Sequence, residues 1–278
     1  MPVHCKPTIV TLTTDFGLSD PWVAELKAAI LRVSTDLTLI DISHTVTVFH
    51  IRQAAYVVDT ASRQFPSGTI HVVGVDPHPS DRGLLVLSRG QYFIGPDNGV
   101  FAPLWGPDRT DTNSVPVRVF QLDQPQFWGH PQPTTFRARD LFGPVAGHLT
   151  RGVNATQTGS PIPLESLTTN DVEPHSCETD KRSGEVIHVD RFGNLITSIS
   201  AGDLPEDTTV QIAEHRITGL CQTYDAPRGD QPLMALAGSS GYLEICVPCK
   251  SAAEFIGRGL GTPVSVHVGS DVSNSESP

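Results

Sequence analysis

Residues 9–14 run Ile-Val-Thr-Leu-Thr-Thr and stop at Asp15-Phe16-Gly17. An apolar, β-branched run of that length predicts a buried strand. Asp20 and Pro21 then read as an N-cap and the first residue of a helix. Trp22, Leu26, Ala29, Ile30 and Val33 follow at helical spacing. Residues 37–42 predict a second strand. Residues 50–61 predict a second helix, with Ile51, Ala54, Ala55 and Val58 on one face, and residues 69–75 a third strand. Strands alternating with helices predict an α/β N-terminal domain with a mainly parallel sheet. Residues 84–87 and 92–94 flank Ser88-Arg89-Gly90-Gln91 and predict a hairpin added to it. Residues 115–122 predict another strand. Residues 139–150 read as helical, with Pro144 either kinking the helix or sitting in its first turn.

From 152 to 182 the pattern lapses into Thr, Ser, Asn, Pro and Gly without period, which predicts a linker. Short strand-like runs then follow at 185–190, 194–199, 209–212, 234–237, 242–247 and 264–268, with one helical patch at 251–256. They predict a small all-β, barrel-like C-terminal domain. The expected organisation is therefore an α/β domain over 1–151, a linker over 152–182, a β domain over 183–269 and a flexible polar tail over 270–278.

Charge narrows the partners. The formal net charge is −11 and the basic residues are scattered, so a nucleic-acid partner is not expected. No apolar run approaches the ~18 residues of a membrane helix, and the N-terminus lacks the layout of a signal peptide. The expectation is a cytoplasmic protein with no membrane partner. Cys246 and Cys249 form a lone C-x-x-C with no second ligand pair, so buried thiols are expected there, and no metal.

In open parallel sheets, ligands sit beyond the C-terminal ends of strands. Three predicted strand ends finish in polar residues: Asp15, residues 41–44, and the stretch from Asp76 to Arg82. The tight loop 95–99 holds Asn98, and Asp190-Arg-Phe-Gly-Asn194 opens the second domain. Asp, Asn and Pro also favour plain turns, and that reading stays open for each position. No dinucleotide glycine fingerprint, Walker loop, G-x-S-x-G or H-E-x-x-H is present.

Six stretches carry a family likeness: TLTTDFGLSDPWVAELKAAI, GVDPHPSDRG, IGPDNGVF, TTFRARDLFGPVAGHL, DRFGNLITSI and AGSSGYLEI, in this order. Together they resemble the S-adenosyl-L-methionine hydroxide adenosyltransferases, whose superfamily includes the bacterial fluorinase and chlorinase. The resemblance implies an α/β domain followed by a β-barrel domain. It also implies a homotrimer with sites between subunits, a small-molecule substrate and no cofactor. The implied reaction is attack of water or hydroxide at the ribose C5′ of S-adenosylmethionine, giving adenosine and methionine.

By the same resemblance, Asp15 holds the ribose hydroxyls and Phe49 packs near the ribose. Asn98 and Phe136 also fall at substrate-binding positions. Asp190, Phe192 and Asn194 meet the methionine and adenine parts, and Ser239 the carboxylate end. Asp76 and Arg82 match an acid and an arginine that surround the attacking water, Asp76 orienting its proton and Arg82 stabilising hydroxide character, although the loop between them is one residue shorter than the family pattern. The usual T-F-H-G-R-D reads Thr135-Phe-Arg137-Ala-Arg-Asp140 here. Arg137, in the place of histidine, cannot act as a base near neutral pH, though it can bind an anion. His78 stands where relatives carry glycine. It supplies a displaced imidazole or is only an exposed loop residue. Two other functions remain open: a halide-using transferase, and a non-catalytic S-adenosylmethionine or adenosine binder.

Overall fold

The computed structural model describes residues 8–76, 82–105, 116–132, 135–169, 181–224 and 232–268. The chain divides into two compact units at 170/171.

The first unit is built on a seven-stranded sheet. It contains β1 (Thr8–Thr14), α1 (Trp22–Val33), β2 (Leu37–Ser43), α2 (Ile51–Ser62), β3 (Ile70–Gly74), β4 (Gly83–Ser88), β5 (Gln91–Pro96), β6 (Arg118–Gln121), α3 (Gly143–Thr150), α4 (Ala155–Thr158) and β7 (Ser160–Ile162). The strand order is β2-β1-β3-β5-β4-β6-β7. In this sheet β2, β1, β3 and β5 run parallel to one another. The pairs β4–β5, β4–β6 and β6–β7 are antiparallel. The sheet is therefore mixed, which corrects the expectation of a mainly parallel one. The reason is local. Helical crossovers, α1 and α2, occur only between β1, β2 and β3, and Arg89-Gly90 then reverses the chain within a two-residue turn. Both turn residues have positive φ, +55° and +72°, as a tight hairpin demands.

Two apolar clusters cover the faces of this sheet. Val10, Leu12, Ile70 and Val72 pack with Leu26 and Ile30 from α1, Val145 from α3 and Phe142 just before α3. Val73, Val86 and Phe93 pack with Ala54, Ala55 and Val58 from α2. Asp20 does not cap α1. Pro21 takes the N-cap place, without a side-chain bond. Residues 138–142 form a π-helical turn that runs into α3, with Pro144 in the first turn of the α-helix. Part of the expected linker belongs to this unit. Asn154 caps α4 with a full capping box, and β7 pairs with β6.

The second unit has β8 (Lys181–Val189), β9 (Leu195–Ser200), β10 (Thr209–Ile212), β11 (His215–Thr218), β12 (Leu220–Cys221), β13 (Met234–Ala237), β14 (Tyr242–Cys246), α5 (Ala252–Ile256) and β15 (Pro263–His267). Its eight strands follow the order β11-β10-β15-β8-β9-β14-β13-β12. The outermost two, β11 and β12, are joined in sequence by the single residue Gly219, so the sheet curls into a nearly closed barrel around Val186, Leu195, Val210, Leu243, Ile245 and Val266. Among the described residues no helix is long and apolar enough to cross a membrane.

Candidate active site

Two clusters of sequence-predicted residues emerge, one in each unit. In the first, parallel register sets Thr14 of β1 beside Gly74 of β3. The residues that follow each strand therefore share one sheet edge. Asp15 Oδ2 accepts the backbone N–H of Phe49 at 3.0 Å. Phe49 is held at φ +64° and is 70% exposed. A bulky side chain in left-handed backbone is rare, and here it leaves an aromatic ring in the open beside a carboxylate. Below them His44 is buried, its Nδ1 2.8 Å from Thr14 Oγ1. Burial works against ionisation of the neighbouring Asp41, yet Lys27 and His44 hold its carboxyl below the usual range.

Asp76 follows β3 with φ +43°. Asn98 fixes it there: Nδ2 donates to the carbonyls of Val75 and Asp76 at 3.0 and 3.1 Å, and Oδ1 accepts from Val100 N–H at 3.2 Å. The Asn98 side chain is thus occupied in shaping the Asp76 backbone. Arg82 is tied down as well. Nε and Nη2 donate to Asp97 Oδ2 at 2.9 and 2.5 Å, and Nη2 also donates to the carbonyl of Ser166. Asp97 is buried and takes a further bond from Thr168 N–H at 2.9 Å. These bonds make Arg82 a brace between the start of β4, the residue after β5 and the segment after β7.

Arg137 is buried at the start of the π-helical turn, its guanidinium 6.0 Å from the centre of the Phe142 ring. A Cβ on Gly83 would stand 3.5 Å from its Nη2, and one on Gly74 only 3.0 Å from the Phe16 ring. The cation is therefore packed close to the start of β4. Phe136 meets Phe16 and Trp22 edge-on at 5.4 and 5.6 Å. Arg139 lies over Phe136 at 5.1 Å and is itself clamped by Asp140 at 2.6 Å and Glu25 at 2.9 Å. Those two carboxylates push the guanidinium pKa further up. The sequence reading missed Arg139 as the residue that fixes Phe136, although it lies inside the quoted TTFRARD stretch. His78 lies outside the described residues.

In the second unit the β8–β9 turn is a tight carboxylate-centred loop. Asp190 Oδ1 accepts from the backbone N–H of Phe192 and Asn194, and Oδ2 from Asn194 Nδ2, all at 2.9 Å. Gly193 has φ +83°, and a Cβ there would overlap Ser251 Oγ at 2.1 Å, so this place admits only glycine. A cavity of about 620 Å³ opens against this loop. Asp190, Phe192 and Asn194 line it, with Tyr224, Lys250 and Ser251 across from the loop in sequence. Phe192 is 77% exposed. Ser239 is not among the lining residues; it sits exposed on the β13–β14 turn. Cys249 is exposed and lines the cavity, which corrects the expectation of two buried thiols. Cys246 is buried, and burial, with the nearby Glu244 carboxylate, pushes its thiol up to about 12. Tyr224 and Lys250 were not legible in advance, because neither belongs to a motif.

Comparison with known proteins covers both units. The model of the SAM hydroxide adenosyltransferase N-terminal domain matches residues 10–159, and that of the C-terminal domain matches residues 184–265. The chain belongs to the SAM hydroxide adenosyltransferase family. Among members of that family, a Thermus thermophilus protein named (R)-S-adenosyl-L-methionine hydrolase is 32% identical over 92% of this chain and 98% of its own. A Methanocaldococcus jannaschii protein of the same name is 34% identical over 70% of this chain and 68% of its own. The crystal structure of an uncharacterized conserved protein from Thermotoga maritima superposes with a TM-score of 0.80 and 28% identity, covering 94% of this chain and 100% of that one.

Proposed function

We propose that this SAM hydroxide adenosyltransferase hydrolyses S-adenosyl-L-methionine to adenosine and L-methionine. The observation that carries the reading is the family match across both units, with hydrolase relatives aligned over nearly the full chain. The relatives' names specify the (R)-sulfonium epimer, which makes that epimer the first substrate to try.

In this reading water attacks C5′ in line with the C5′–S bond. The O–C5′ bond forms as C5′–S breaks, and the bonding pair leaves on sulfur as the neutral thioether of methionine. The sulfonium is already a good leaving group, so the protein's task is to place the water, take its proton and exclude competitors. Asp76 is the proton acceptor, held in left-handed backbone by Asn98. The buried Arg137 offsets the charge of the nascent hydroxide, while Arg82, anchored on Asp97, adds positive charge that stabilises hydroxide character. Asp15 accepts from the ribose hydroxyls, with Phe49 and Phe136 as apolar walls. Asp190, Phe192 and Asn194 receive the methionine and adenine parts, and Ser239 the carboxylate end. His78 is a further proton carrier in the loop. No resident cofactor is needed.

The finer organisation follows from the same reading: a cytoplasmic homotrimer in which the cluster of one subunit's first unit completes that of a neighbour's second unit. The exposed Phe49 and Phe192 support it, since each leaves a large apolar ring beside a carboxylate.

The test is product analysis. Purified protein is incubated with each sulfonium epimer, with and without chloride, and the nucleosides are separated. Adenosine in equal amount under both conditions is the expected result. A 5′-halogenated nucleoside appearing only with chloride would assign a halide-using enzyme instead. Unchanged substrate bound to folded protein would leave a binding protein.

A further inference from the structure

The cavity of the second unit has a charged residue behind its wall. Glu244 on β14 is only 7% exposed, yet it is a carboxylate. Tyr224, which lines the cavity, donates its hydroxyl to Glu244 Oε1 at 2.8 Å. Gly238 leaves the room for this carboxylate, because a Cβ there would stand 2.6 Å from Glu244 Oε2. Burial first, and then the charge of Asp190, raises the Glu244 pKa, while the bond from Tyr224 opposes the rise. Cys246 and Cys221 complete the neighbourhood, and burial keeps Cys246 a neutral thiol. Burying a second carboxylate near Asp190 is costly unless the site serves a cation.

We propose that Glu244 and Tyr224 make this cavity selective for a cationic ligand, so that it separates the sulfonium substrate from its neutral thioether counterpart. The inference rests on the hydrolase reading above and deepens it. The methionine end of the substrate carries a sulfonium, an ammonium and one carboxylate. The cavity answers with the Asp190 carboxylate and the Lys250 ammonium in its lining and with the Glu244 carboxylate behind Tyr224. The net charges are opposite. Tyr224 adds a second effect. A phenol that donates to a carboxylate gains electron density, which strengthens the attraction of its ring face for a cation. Glu244 is a positioning residue here: it acts on the ligand through Tyr224 and through its field. The arrangement also favours release of the neutral thioether once the C5′–S bond has broken.

The experiment compares S-adenosylmethionine with S-adenosylhomocysteine in wild-type protein, Glu244→Gln and Tyr224→Phe, using titration calorimetry for binding and steady-state kinetics for turnover. Glu244→Gln keeps the shape and the acceptor for Tyr224 but removes the charge. The expected result is that the preference for the sulfonium over the thioether falls by roughly tenfold, as for one charge in a partly desolvated site. The loss should fall in KM rather than kcat. Tyr224→Phe, which leaves Glu244 without its donor, lowers the preference by a smaller factor. If both variants weaken both ligands equally, Glu244 is merely structural and the proposal is overturned. An unchanged preference in folded Glu244→Gln overturns it too, and Tyr224→Phe carries the decision should Glu244→Gln not fold. Wild-type protein that binds the sulfonium without turnover defeats the hydrolase reading but not this one. Wild-type protein that binds neither nucleoside defeats both.

Discussion

Asp76 occupies a backbone region that costs an ordinary L-residue roughly 1–2 kcal/mol, and Asn98 spends its whole amide on keeping it there. Strain of this kind persists only when neighbours enforce it. The Asp76→Gly variant separates the two consequences. Glycine accepts positive φ without strain, so the thermal midpoint should hold or rise slightly. The carboxylate is lost, so turnover should fall by at least ~100-fold. Undiminished turnover would make the 76–82 stretch a turn and nothing more. Most of these single residues were legible in advance because their chemistry stands at the ends of apolar runs: Asp15 after residues 9–14, Asp76 after 69–75. The partner of Arg82 was not, because nothing in the sequence says that Asp97, fifteen residues on, will be buried against it.

At the scale of elements, the sequence pattern located most strands of both units, with β10 and β13 matching residue for residue. It failed on β11 and β12, which are four and two residues long and alternate too briefly to show a period. It also failed on β7. Ser160-Pro161-Ile162 reads as loop, but proline is tolerated on the edge strand it becomes. The expected hairpin at residues 88–91 is the antiparallel β4–β5 pair, but the direction of β6 was lost because polarity patterns carry no sign of parallel or antiparallel pairing. One glycine makes the β7 edge possible. A Cβ on Gly159 would stand 1.9 Å from the carbonyl oxygen of Gln121, which is backbone of β6. Gly159→Ala should therefore push β7 off the sheet and destabilise the first unit by about 1–3 kcal/mol. Denaturant titration measures it, and an unchanged midpoint would mean that the edge relaxes freely.

The molecule as a whole keeps a buried histidine apart from its proposed chemistry. His71 on β3 is 1% exposed, stacks on Phe93 at 4.8 Å and lies 2.7 Å from Thr11 Oγ1. Burial first, and then the nearby Arg89, lowers its pKa from 6.5 to about 4. Between those values the unfolded chain binds a proton that the folded chain refuses. The stability His71 contributes is thus fully present above about pH 6.5 and lost as the pH falls towards 4. Thermal melts over that window should show the midpoint dropping, with a shallower drop in His71→Gln; identical slopes would mean that His71 does not titrate in the fold. The central claim concerns where the bond is made. S-adenosylmethionine should be turned over in water enriched in ¹⁸O and both products weighed by mass spectrometry. Attack at C5′ predicts the label in the 5′-hydroxyl of adenosine and none in methionine. Unlabelled adenosine, or cleavage on the methionine side of sulfur, would contradict it.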